Sequence, residues 1–345
     1  MKTIASCSRR TILSISIIGV VCLHTINSHA ADFTAKIGHL ESAMQSRHIH
    51  LEKVAALVKE RTNGAVEFQI FPQGQLGNQR EMTEGVQLGV LEATVSPAAF
   101  LGGFNPAISI LDIPYLLPTD EDQAQAIRAS HFGDSLLDSF SSHGVIGVAL
   151  WPNGRKNFTS NKPLPDITAF EGQKFRVMDS KILIEQFNAL GASAIALPFG
   201  ELYTSLQTGV VDGQENPLDT IQRMKFYEVQ KHLVLSEHGA MEDVVLFNPA
   251  WWGSLTDDYR QVIIAAFAEV IPALRAHKAE AVKAALSAIA ESGITIREAS
   301  PEERSALRER MYPPAREAYL ERAGTEGEQL INSYEKAYAE VSSQH

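Results

Sequence analysis

Two features of this chain have residue types and spacing suited to chemistry: a histidine pair and an arginine at a strand end. In His48-Ile49-His50 the imidazoles stand two positions apart. On a helix, side chains at that spacing point to different faces, so the pair does not make a metal site and no metal is expected. Arg176 sits at the end of the strand predicted over Lys174-Phe175-Arg176-Val177-Met178. Open α/β sheets present ligand-binding groups at strand ends, and a guanidinium can hold a carboxylate through two parallel N–H groups. Such an arginine either pairs at the surface with one of the 41 acidic residues or anchors an anionic ligand. Catalytic signatures are missing: there is no G-x-S-x-G elbow, G-x-x-x-x-G-K-[ST] loop, H-E-x-x-H helix or G-x-G-x-x-G turn. A hydrolase or lyase built on two carboxylates leaves no short signature, so that class stays as the competing one. No catalytic residue and no cofactor is assigned.

The elements that must position Arg176 alternate along the chain. Leu51, Val54, Ala55 and Val58 recur at helical spacing between Ser42 and Arg61, and Asn63-Gly64 stops the helix. Val66, Phe68 and Ile70 then alternate with polar residues as a half-buried strand ending at Pro72. Asn78 and Glu81 form a capping box for a short helix closed by Gly89, and Val90–Val95 reads as a strand. Helix and strand alternate again from Gly172, with Ser180 as N-cap, a strand at Ile195–Pro198, a helix over Glu201–Gln207 and a strand at Val210-Val211. Both halves are therefore α/β. Gln87-Leu88-Gly89-Val90-Leu91-Glu92-Ala93 has a counterpart in Gln207-Thr208-Gly209-Val210-Val211-Asp212-Gly213, from shared helix-to-strand punctuation or from two lobes of related topology. In the last third, Thr256 caps a helix running to about Ser292 and kinked at Pro272. After a short strand at Ile294–Ile296, Ser300-Pro301-Glu302-Glu303 is a strong helix start.

Lys2, Arg9 and Arg10 precede an apolar run from Ile12 to Leu23 that ends in Ser28-His29-Ala30, the pattern of a cleaved secretory signal. Ser8-Arg9-Arg10-Thr11-Ile12-Leu13 also resembles a twin-arginine signal. Both cysteines, Cys7 and Cys22, lie within this segment, so the mature chain has no thiol chemistry. Cleavage removes three positive charges and no acidic ones, taking the formal net charge from -11 to -14. That balance argues against nucleic acid and anionic membrane as partners, and an anion site would need its positive charge concentrated in a cleft.

The stretch from Pro198 to Pro217 closely resembles the signature of the extracytoplasmic receptors of tripartite ATP-independent periplasmic (TRAP) transporters. Further matches follow in order: Gln75-Leu76-Gly77, Asp112-Ile113-Pro114-Tyr115, Asn153-Gly154, Gly172–Val177 and Glu237-His238-Gly239. The resemblance covers essentially the whole mature chain. It implies a two-lobed α/β periplasmic solute-binding fold with a long helix spanning both lobes. The expected lobes are 31–152 with about 242–280, and 153–241 with about 281–345. It also implies a small organic anion as ligand, with the small and large integral membrane subunits of a TRAP transporter as partners and a periplasmic location. A zwitterion or amine ligand, or a signalling receptor as partner, fits the same fold. Arg176 and Asn216 take ligand positions, and Phe199 takes a cleft-wall position. Lys156 stands where many members carry a second arginine, which favours one ligand carboxylate over two. Trp151, His39, Glu41 and Ser96, near predicted strand ends, and His238, at a family position, complete the candidates.

Overall fold

The computed structural model describes residues 31–343; the export signal read at 1–30, with Cys7 and Cys22, lies outside the described residues. Nine strands form one sheet: β1 Phe33–Gly38, β2 Val66–Phe71, β3 Ala93–Pro97, β4 Ile146–Ser160, β5 Lys174–Val177, β6 Ser193–Ala196, β7 Gly213–Pro217, β8 His232–Phe247 and β9 Thr295–Glu298. Their order is β2-β1-β3-β8-β4-β7-β5-β6, with β9 on the free side of β8. β4 and β8 run antiparallel from Ile146↔Phe247 to Ser160↔His232 and belong to both ends of the sheet. At one end, β3 joins β8 over 243–247 and brings β1 and β2. At the other, β7 joins β4 over 156–160 and brings β5 and β6. The two lobes are the two ends of this sheet, joined by two continuous strands.

The register of the long pair slips between Pro152 and Arg155, midway along β4. Gly154 sits there at φ 101°, a conformation that glycine adopts without Cβ strain. A bulge of this kind bends and twists the strand locally, and here it falls where one half-sheet gives way to the other.

Helices cover both ends: α1 Ser46–Arg61, α2 Gln79–Leu88, α3 Glu121–Arg128, α4 His131–Asp138, α5 Lys181–Ala189, α6 Leu202–Gln207, α7 Leu218–Arg223, α8 Pro249–Ser254, α9 Asp257–Glu269, α10 Ile271–Ala290 and α11 Pro301–Ser342. Local chemistry explains their starts. The Asn78 side chain accepts from the Glu81 N–H while Glu81 reaches back to the Asn78 N–H. Thr256 and Ser300 likewise accept from Tyr259 and Glu303. The long helix breaks at Val270, with Pro272 in the first turn of α10. α9 packs into the core around Trp151, whereas Ala285 and Ile289 of α10 enter the core under α6 and α7. The pair therefore spans both lobes.

Two expectations change. Val90 does not start a strand: Gly89 closes α2 in the left-handed conformation, and the Val90 and Leu91 N–H groups return to the Gly85 carbonyl. This C-terminal hydrogen bonding leaves Val90 78% exposed and delays β3 to Ala93. Gly209 does the same before β7, and Val210-Val211 is a turn. The second change concerns α11. Its first turns pack with Phe158 and Phe175, but Ala315, Tyr319, Leu330 and Ile331 belong to the core around Ile108 and Phe132. The sequence expectation had placed this whole segment with the second lobe.

Gly213 opens β7 between β4 and β5. A Cβ there would stand 2.3 Å from the Thr159 carbonyl oxygen and 2.6 Å from the Phe175 ring. Gly213→Ala should lower stability by about 1–3 kcal/mol through overpacking, read as an earlier urea midpoint at unchanged m-value.

Candidate ligand-binding cleft

Segments at or just beyond the carboxyl ends of five strands converge on one cleft. Leu40 and Glu41 follow β1, Pro97 and Phe100 come from the end of β3, Met178 follows β5, Phe199 follows β6 and Asn216 lies at the end of β7. Arg47 from α1, Thr220 from α7, and Asn153 and Met241 from the long strands complete the wall. This is where open α/β sheets hold ligands.

Arg176 lies against this wall. Its Nε and Nη2 donate to the Leu197 carbonyl at 3.0 and 2.8 Å, and its Cζ is 5.9 and 6.0 Å from the Phe100 and Phe199 ring centres. The residue is 1% exposed, yet no carboxylate of the described residues comes within ion-pair distance of it. Burial pulls its pKa down to about 10, with only a partial offset from the charge of Glu215. A buried guanidinium without a counter-ion is expensive unless an anion completes it.

A second polar cluster reaches the wall through Glu41, Arg47 and Asn153. Arg47 grips Asp243 through Nε–Oδ2 at 2.7 Å and Nη2–Oδ1 at 2.5 Å, and Glu41 Oε1 lies 3.5 Å from Arg47 Nη2. Asn153 donates to Asp243 and accepts from Lys278 Nζ, which also donates to Asp219 at 2.7 Å. All six side chains are buried. Arg47, Asp243, Lys278 and Asp219 escaped the sequence reading. The usable signal was a cation on an apolar stripe: Arg47 shares a helix face with Leu51, Val54 and Val58, and Lys278 lies between Leu274 and Ala285.

Of the residues expected from the sequence, Glu41, Phe199 and Asn216 line the cleft, and Arg176 is held between two of its rings. Five others are elsewhere. Lys156 points to the opposite side, where its Nζ is 2.8 Å from Glu215 Oε1. Gly239 leaves room for it, since a Cβ there would meet Lys156 Cε at 2.6 Å. His238 donates Nε2–H to Glu215 Oε2, because an ionised carboxylate can only accept, so its Nδ1 takes the Ser236 hydroxyl. Its ring stacks on Phe158 at 3.7 Å. Trp151 is core, with Nε1 donating to the Phe267 carbonyl. Ser96 is turned from the cleft by strand alternation, bonding the Pro97 carbonyl while Pro97 itself lines the wall. His39 pairs with His48 at 3.1 Å behind the wall, and His50 bonds the Ser46 carbonyl, so the histidine pair diverges as its spacing requires. Among the described residues no three His, Cys, Asp or Glu side chains form a metal-binding group.

Neighbours on a strand face opposite ways, so Asn216 enters the cleft while Glu215 enters the Lys156–His238 cluster. Burial alone would raise the Glu215 carboxyl, but Lys156 and His238 hold it at about 2, below its ordinary 4.5. Its stabilising contribution is therefore complete above pH 4.5 and disappears as the pH falls towards 2. Glu215→Ala, which strands a buried ammonium, should cost about 3–5 kcal/mol at pH 7. In urea titrations the gap to wild type should narrow at pH 3.

The chain matches the family model "Bacterial extracellular solute-binding protein, family 7" over residues 37–322. It is 33% identical over 299 residues to the C4-dicarboxylate-binding periplasmic protein DctP of Rhodobacter capsulatus, covering 86% of this chain and 89% of that one. With the 2,3-diketo-L-gulonate-binding periplasmic protein YiaO of Escherichia coli it shares 30% identity over 78% of this chain and 82% of the relative. The crystal structure of a TRAP periplasmic solute-binding protein from Desulfovibrio salexigens with bound orotic acid superposes at TM-score 0.89 and 63% identity. That match covers 90% of this chain and 99% of the other. A cleft at convergent strand ends, between two lobes joined by continuous strands, is thus shared with proteins that capture solutes for transport. The chain belongs to the DctP family of TRAP transporter solute-binding proteins.

Proposed function

We propose that this protein is the exported receptor of a TRAP transporter for a small organic acid bearing one carboxylate, and that Arg176 anchors that carboxylate. The observation carrying the reading is the buried guanidinium with no counter-ion among the described residues, already oriented by the Leu197 carbonyl and two aromatic rings. The Asn216 amide, on the same wall, supplies a further polar contact, and Phe199 excludes water from the ion pair. A second carboxylate would meet cations whose charge is already matched, Lys156 by Glu215 and Arg47 by Asp243, with only one Arg47 N–H group, Nη1, left to donate. Orotate, the ligand of the 63% identical relative, has one carboxylate on a flat ring and is the first compound to test.

The family consists of transport receptors, and the ligand leaves this cleft unchanged; orotate recovered intact after long incubation supports capture over a hydrolase or lyase. The N-terminal charge-and-apolar pattern supports export to the periplasm. There, ligand that touches both lobes favours a closed form, which the membrane subunits recognise. A dissociation constant near 1 μM corresponds to about -8 kcal/mol, and losing a buried charged partner costs about 2–5 kcal/mol. Arg176→Ala should therefore weaken orotate binding by at least about tenfold in calorimetry. Wild-type affinity in the variant would sink the assignment.

A further inference from the structure

The cleft is electrically lopsided. Arg176 brings a positive charge without a partner. In the cluster that reaches the wall through Glu41 and Arg47, three buried carboxylates, Glu41, Asp243 and Asp219, share two buried cations, Arg47 and Lys278. Asp243 takes two hydrogen bonds from Arg47, and Asp219 takes one from Lys278. Glu41 has a long ion-pair contact of 3.5 Å to Arg47 and the Asn153 amide beside it, and its Oε2 has no hydrogen-bond partner. The nearby His39 supplies no third cation, since burial and the charge of Arg47 depress its pKa to about 3. Arg47, beside Glu41 on the wall, has its own unmatched atom in Nη1. An acceptor and a donor, each lacking a partner, thus stand side by side on the cleft wall.

We infer that Glu41 is the specificity-determining acceptor of this cleft: its free carboxylate oxygen takes a ring N–H of a flat carboxylate ligand, with Arg47 Nη1 available to an adjacent ring carbonyl. The inference rests on the proposed anchoring of the ligand carboxylate by Arg176. The ligand class is then a planar nitrogen heterocycle with a carboxylate at one end and an N–H/C=O edge at the other. A flat ring suits walls that already carry Phe100 and Phe199 beside the guanidinium. A ligand without the N–H leaves Glu41 buried and unmatched, and a second carboxylate meets it with like charge. Sites built to bond a polar ligand group reject analogues lacking it far more strongly than apolar pockets reject a missing methylene. Glu41 remains the anion this role requires, because Arg47 and Lys278 outweigh the effect of burial and hold its carboxyl well below the usual range.

Calorimetry with three probes tests this. Orotate has ring N–H groups and one carboxylate, benzoate has the flat ring and carboxylate without N–H, and succinate has two carboxylates. The wild type should bind orotate about 100-fold more tightly than either of the others. Glu41→Gln should weaken orotate by at least about tenfold and leave benzoate unchanged or improved, narrowing the gap. Wild-type protein that takes benzoate as tightly as orotate overturns the inference, and no misfolded variant can mask that outcome. So does unchanged orotate affinity in Glu41→Gln, or an equal loss for orotate and benzoate, which marks a structural role. Orotate affinity that survives Arg176→Ala but falls in Glu41→Gln defeats the carboxylate anchor and leaves the Glu41 assignment standing. If the wild type binds none of the three, a thermal-shift screen over carboxylates with and without ring N–H groups decides. Stabilisation led by ring N–H compounds supports the assignment, and donor-free compounds ranking first overturn it.

Discussion

Everything in this molecule hangs on the antiparallel pairing of β4 with β8. Each half-sheet uses these strands as its innermost members, so neither lobe has a sheet edge at the junction and both have their strand ends aimed at the same gap. The register slip at Pro152–Arg155 lies at the centre of that pairing. Asn153, at the slip, bonds Asp243 on β8 and Lys278 on α10. The same few residues therefore bend the sheet and furnish the cleft wall.

Charge placement follows from that geometry. Buried ions are tolerated when paired, and most here are: Lys156 with Glu215, Arg128 with Glu242, Arg47 with Asp243 and Lys278 with Asp219. Among the described residues Arg176 and Asp112 are buried without an ion-pair partner, and Glu41 has only a long one, 3.5 Å from Arg47. In a protein whose formal charge is strongly negative, a lone buried cation creates a local field opposite to that of the whole molecule. In the proposed complex the solute supplies what the protein leaves incomplete.

Legibility in the sequence tracked how local the governing physics is. The caps at Asn78, Thr256 and Ser300 and the left-handed glycines at 89 and 209 are set within a few residues, and all were readable. The two longest strands were not. β4 contains Trp151-Pro152-Asn153-Gly154, which locally spells a turn, and β8 contains Glu237-His238-Gly239, whose partners lie far away in sequence. The same limit governed the cleft. Arg176 is legible as a cleft candidate because it ends a strand in a long family signature, whereas Lys156 and His238 occupy family positions yet both bind the Glu215 carboxylate instead of lining the cleft. Arg47 and Lys278 are single cations within apolar helical stripes, and local spacing does not say which distant carboxylate each will meet.

The route of the chain through β8 bears on when the protein can fold at all. β3 has its main partner about 150 residues downstream, in the pairing of Ala93–Pro97 with Asp243–Phe247. The core around Phe132 is likewise completed only by Tyr319, Leu330 and Tyr334 near the far end of the chain. The first lobe is thus encoded early and finished late. β1, β2 and β3 can pair with one another early, but the β8 side of β3 waits open during synthesis, exposing edge and apolar surface of the kind that slows folding and invites association. A core that cannot close before α11 has been made keeps the first lobe open, and within reach of chaperones, until late in synthesis.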